Sequence, residues 1–193
     1  PWAEEFDSPV DPAVWKLSPN AGVCEVRDGR LWMELKSATS VSAECKETFS
    51  MLGGPLEFEF GFHYNCAENW WYLGNFITIG FGSDHILIRV DNARQIRLEN
   101  RWTAASGYTQ PIVDYMPIEP NVPHVLKLQV DAERYRLIVD DKLLSEGYHE
   151  VETGPVGKLS IGTSSGHQRH GDIGSVDYAR VRRIDPQVMA AGG

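Results

Sequence analysis

The chain has 193 residues, 42% of them hydrophobic and 23% charged, with a formal net charge of -9. That balance supports one packed core and excludes intrinsic disorder, while the negative sign opposes a phosphate backbone and excludes nucleic acid as a partner. No apolar run approaches the ~20 residues that span a bilayer, which excludes membrane insertion, and the sequence opens at Pro1 without a basic stretch leading into an apolar one, as expected once a signal peptide has been removed.

In chain order, Asp11-Pro12-Ala13-Val14-Trp15 has the makings of a single helical turn, with Asp11 capping and Pro12 in the first position. A first strand signal covers residues 29–35 behind the turn pair Asp28-Gly29. The clearest alternation follows Gly53-Gly54-Pro55: Leu56, Phe58, Phe60, Phe62 and Tyr64 share one face, and Glu57, Glu59, Gly61 and His63 share the other. Further runs occupy 76–81, 86–90, 95–100, 124–130, 134–140, 158–161 and 175–184, most of them separated by turn pairs such as Gly82-Ser83, Asp91-Asn92 and Asp140-Asp141. No long amphipathic helix or repeat interrupts them. The reading is an all-β, two-sheet antiparallel sandwich over residues 1–184, followed by a tail over 185–193. Cys24, Cys45 and Cys66 lack metal-ligand spacing and an even count. They read as small buried apolar side chains, with one disulfide plus a free thiol as the alternative.

The order of Glu5-Phe6-Asp7, Trp15, Asp28-Gly29-Arg30-Leu31, a strand after Gly53-Gly54 and a last strand Val176-Asp177-Tyr178-Ala179-Arg180-Val181 resembles the concanavalin A-like lectin/glucanase superfamily, including laminarinase- and lichenase-like enzymes and laminin-G-like domains. The resemblance implies a jelly roll whose first and last strands pair and whose concave outer face holds glycan. It also implies an extracellular or periplasmic setting.

On that resemblance, Glu57, Glu59 and His63 line a groove, where each carboxylate accepts sugar hydroxyls. Glycoside hydrolases need two carboxylates about 5–5.5 Å or 6.5–9.5 Å apart, and residues two apart on a strand stand roughly 6.6 Å apart at the backbone. Spacing thus permits Glu57 and Glu59, with His63, as a catalytic set. The laminarinase-like pattern Glu-x-Asp-x-x-Glu or Glu-x-Asp-x-Glu is missing, however, and the strand in its place reads His85-Ile86-Leu87-Ile88-Arg89. His85 and Arg89 offer donors to hydroxyls or uronate carboxylates. Aromatic rings cover the apolar faces of sugars: Trp102 lies beside a polar loop, and of the adjacent Trp70 and Trp71 one faces the core and one the groove. The loop from Gly162 to Asp172, with His167 and His170, reads as a polar rim.

The resemblance further implies a structural Ca2+ clip on the convex side, held by the carbonyls of Glu5 and Gly29 and the side chain of Asp177. Three functions follow: a glycan-binding module without laminarinase-type catalysis, a glycoside hydrolase or polysaccharide lyase with a different site, and a laminin-G-like protein-interaction domain. The first is favoured because the hydrolase motif is missing. The expected partner is an oligo- or polysaccharide, and oligomeric state is unreadable.

Overall fold

A computed structural model describes residues 1–20, 22–34, 40–65, 73–81, 84–91, 97–103, 115–117, 119, 121–149, 157–164 and 173–191. Along the chain run β1 (Trp2–Glu4), β2 (Trp15–Ser18), β3 (Val23–Arg27), β4 (Arg30–Glu34), β5 (Ser40–Phe49), β6 (Leu56–Asn65), β7 (Leu73–Phe81) and β8 (Asp84–Asp91). They are followed by β9 (Arg97–Thr103), β10 (Tyr115–Pro117), β11 (His124–Val130), β12 (Arg134–Val139), β13 (Lys142–Tyr148), β14 (Gly157–Ser164), β15 (Ile173–Arg183) and a helix, α1 (Pro186–Ala190).

Two antiparallel sheets form a sandwich. Sheet A has the order β13-β12-β11-β6-β15-β4-β3, with β1 also on β15, and sheet B has the order β10-β9-β8-β7-β14-β5-β2. The expected jelly-roll sandwich is therefore present. The Asp28-Gly29 and Asp140-Asp141 pairs close their hairpins with both residues at positive φ, as a type I′ turn demands. Asp11 also acts as expected, its carboxylate accepting from Ala13 N and its carbonyl from Val14 N and Trp15 N, although β2 starts directly after this turn.

Alternation fills the core. Phe58, Phe60 and Phe62 of β6 are buried beside Leu126, Leu128 and Val130 of β11, facing Trp15, Val41, Ala43, Cys45, Ile79, Leu159 and Ile161 of sheet B. Each such large side chain contributes about 1.5–3 kcal/mol on leaving water. At one end an aromatic cluster links the sheets: Trp2 lies 6.0 Å from Trp15 and 5.5 Å from Phe49, and Phe49 lies 5.8 Å from Phe58. Glu4 accepts from the Trp15 indole there, fixing the ring.

In β15 the alternation breaks. Val176, Ala179 and Val181 all face inward, a spacing that requires one extra residue, and the pairing with β6 slips between Val176 and Tyr178. Asp177 occupies this bulge.

The last residues differ from the expected tail. Asp185 caps α1 by accepting from Gln187 N, Pro186 takes the first helical position, and Met189 is buried. Among the described residues no helix is long and apolar enough to cross a membrane.

Candidate functional site

Three groups of polar side chains cross the outer face of sheet A, the first of them in register over five strands. In the first, Glu146, Arg136, Gln129, Glu57 and Arg182 sit opposite one another on β13, β12, β11, β6 and β15. Arg136 Nε lies 3.3 Å from Glu146 Oε2, and Gln129 Nε2 donates to Glu57 Oε2 at 2.7 Å. Arg182 Nε donates to Glu57 Oε1 at 2.7 Å. Arg136 also donates to the Val188 carbonyl, tying α1 to this row. Glu57 is only 2% exposed, and its carboxylate is satisfied by protein donors on both oxygens.

In the second group Arg180 forms a two-point pair with Glu5, at 3.0 and 3.1 Å, and reaches Glu59 at 3.7 Å. Its guanidinium lies 4.1 Å from the Tyr178 ring centroid. Burial, with Glu59 beside it, pushes the Tyr178 hydroxyl up to about 12. That ring covers Gly61, where a Cβ would collide with it.

The third group is Arg30, Asp177 and His63. Arg30 Nε stands 3.1 Å from Asp177 Oδ1, an ion-pair contact, and His63 Nδ1 stands 3.3 Å from Oδ2, neither aligned as a hydrogen bond. Burial holds His63 below the usual histidine range, opposed by Asp177 and reinforced by Arg30.

The residues expected in one groove are divided between the two sheets. Glu57, Glu59 and His63 do share a face, but β6 is the direct partner of β15, so that face is the one carrying Asp177. His85, Arg89 and Trp102 lie on β8 and β9 of the other sheet, opposite Gly80, Asn75 and Ile86 respectively. The side chains of His85, Arg89 and Trp102 lie outside the described residues, as do the whole of Trp71 and the rim loop over 165–172. Glu57 and Glu59, engaged by Arg182, Gln129 and Arg180, are poorly placed to act as a hydrolytic pair.

The residues expected to hold a cation fall near one point of the fold. β15 exchanges its partner β4 for β1 between Val176 and Ala179, which brings the Gly29 turn, Glu5 and Asp177 to one seam. Of the expected Ca2+ ligands, the Asp177 carboxylate already faces a guanidinium and an imidazole, so it fits a hard cation poorly.

The outer face of sheet B is different. Lys16, Glu44, Ser160 and Thr78 form a row across β2, β5, β14 and β7, with Lys158 opposite Gly80 in the next row. A cleft of about 410 Å³ lies over them, bordered also by Lys46. Lys16 approaches Glu44 at 3.7 Å, and Lys46 Nζ donates to the Pro12 carbonyl at 2.6 Å. Glu44 is the one carboxylate among the described lining residues, which together offer hydrogen bonds and positive charge. Cys45 lies beneath it as a buried thiol pushed up to about 11, as is Cys24. Both are free and buried, as read from sequence, and burial keeps them from the reactive thiolate form. Sequence reasoning missed this cleft because β2 and β5 were not recognised as strands.

No family model and no curated protein matches the sequence. Solved structures do. LamAcat from Zobellia galactanivorans superposes with a TM-score of 0.71 at 16% identity, over 94% of this chain and 96% of that one. The laminarinase catalytic domain from Thermotoga maritima gives 0.70 at 12% identity, over 95% and 97%. The carbohydrate-binding module CBM66 from Bacillus subtilis gives 0.61 at 12% identity, over 87% and 94%. The chain thus has the concanavalin A-like jelly-roll fold that glucanase catalytic domains and a carbohydrate-binding module both adopt.

Proposed function

We propose that the protein binds oligo- or polysaccharide on the outer face of sheet B, without laminarinase-type catalysis. The observation that carries this reading is the cleft over Lys16, Glu44, Thr78, Lys158 and Ser160. Its hydroxyls, ammonium groups and carboxylate together donate to and accept from sugar hydroxyls. Two facts support this face over the other. Glu5, Glu57 and Glu59 at sheet A are engaged in internal ion pairs, and β8, which on the family resemblance takes the place of the acid-bearing strand of laminarinase-like enzymes, belongs to sheet B. Fold neighbours that include both glucanases and a binding module are consistent with either activity; the single carboxylate among the described lining residues favours binding. A polysaccharide ligand places the working site in an extracellular or periplasmic setting.

A glycan array on the purified chain, followed by product analysis of each hit, tests the reading. Retention without new reducing or unsaturated ends is expected, and Ser160→Trp, which fills the cleft, abolishes retention while leaving the melting temperature unchanged. Cleavage of a bound glycan would make the protein an enzyme. Retention that survives Ser160→Trp would move the site elsewhere.

A further inference from the structure

We propose that the sheet B cleft selects anionic polysaccharide, carrying uronate carboxylates or sulfate esters, and that Lys16 and Lys158 are its recognition groups. The inference rests on the glycan reading above and adds the charge of the ligand. In a chain of net charge -9, three lysines meet a single carboxylate among the described residues that line this cleft. A neutral sugar presents both donors and acceptors and gains little from a surplus of ammonium groups, which only donate; carboxylate and sulfate oxygens only accept and complement them.

The three lysines are not equivalent. Lys46 is anchored on the Pro12 carbonyl and supplies a fixed positive field. Lys16 leans on Glu44 at 3.7 Å with both side chains more than half exposed. Such a pair is worth little in water, so Lys16 can re-pair with an incoming anion at small cost. Lys158 has no ion-pair or hydrogen-bond partner among the described residues and stands opposite Gly80, which has no side chain to crowd it. With strands about 4.8 Å apart, the row from Lys16 to Thr78 extends about 14 Å, more than one sugar ring. An extended chain therefore meets Lys16 at one end and Lys158 beside the middle.

The test is calorimetric titration of the whole chain with four probes: a neutral laminari-oligosaccharide, an oligogalacturonate, a sulfated galactan oligosaccharide and poly-L-glutamate. At least one anionic sugar is expected to bind roughly tenfold or more tightly than the neutral one, with affinity falling as salt rises. Which of the two anionic sugars binds identifies carboxylate or sulfate as the recognised group. Lys16→Ala with Lys158→Ala removes about tenfold of that affinity at an unchanged melting temperature. Equal binding of neutral and anionic sugars, or indifference to salt and to the double variant, would overturn the charge selectivity and leave the glycan reading standing. Binding of poly-L-glutamate as tight as that of the best sugar, or binding of no sugar at all, would overturn the glycan reading as well.

Discussion

Arg182 and Glu57 are joined across β15 and β6 by a short ion pair, with Nε and Nη2 at 2.7 and 2.6 Å from the same carboxylate oxygen. The carboxylate is buried while the guanidinium side chain remains 62% exposed. Glu57 is thus held from solvent by an arginine that itself stays hydrated. From sequence, Glu57 and Glu59 lie outside the core and their removal weakens glycan binding without unfolding the domain. The paired geometry leads to a different prediction for Glu57. Glu57→Ala leaves the Gln129 amide without its acceptor and lowers stability by about 1–3 kcal/mol, and glycan affinity is unchanged. Chemical denaturation and calorimetry of the variant read the two effects separately, and a stable variant with weakened binding would return the site to sheet A.

The seam at Asp177 gives a second prediction. Because Arg30 already neutralises the carboxylate, adding or chelating calcium leaves the melting temperature of the natural chain unchanged. Arg30→Ala lowers it and makes it respond to calcium. Stabilisation of the natural chain by several degrees on adding calcium would instead establish the clip held by Glu5, Gly29 and Asp177.

The buried thiols set an alkaline limit. Cys24 and Cys45 hold their protons to about 11 in the folded state against 9.0 for a free thiol. Between those values the unfolded chain loses protons that the folded chain keeps. Their contribution to stability is therefore complete below about pH 9 and is lost as pH rises through about 11. Cys24→Ala with Cys45→Ala flattens this part of the stability profile. Alkylation of the native chain near neutral pH spares both positions, and rapid labelling of either would contradict their burial.

Helix α1 yields a fourth prediction. Met189 is buried against the Arg134 and Arg136 side of β12. Met189→Ala therefore costs about 2 kcal/mol, measurable by denaturant titration. The same substitution in a solvated tail would cost nothing.

Much of the fold is legible in the sequence because β6 alternates large aromatics with polar groups and the Asp28-Gly29 and Asp140-Asp141 turns carry their own conformational signature. β5 escapes notice because its inward residues Val41, Ala43 and Cys45 are small and contrast weakly with their neighbours. The helix signature Asp185-Pro186 is the one recognised at Asp11-Pro12, but it stands beyond the last alternating strand. The site is the least legible part. Alternation assigns each residue to a face of its own strand but does not reveal which strands become neighbours, and Glu59 meets Arg180 although they are far apart in sequence. Lys16, Glu44 and Lys158 come together by the same kind of long-range pairing.

The pairing of Trp2 with Val181 and Glu4 with Ala179 has a mechanical consequence. Antiparallel bonds lie across the strands, and Trp2 and Arg183 leave this pair at the same end. Tension between them loads the bonds one after another, as in opening a zipper, instead of shearing the set at once. The β1 seam then yields at low force, and resistance passes to the Trp2, Trp15 and Phe49 cluster behind it.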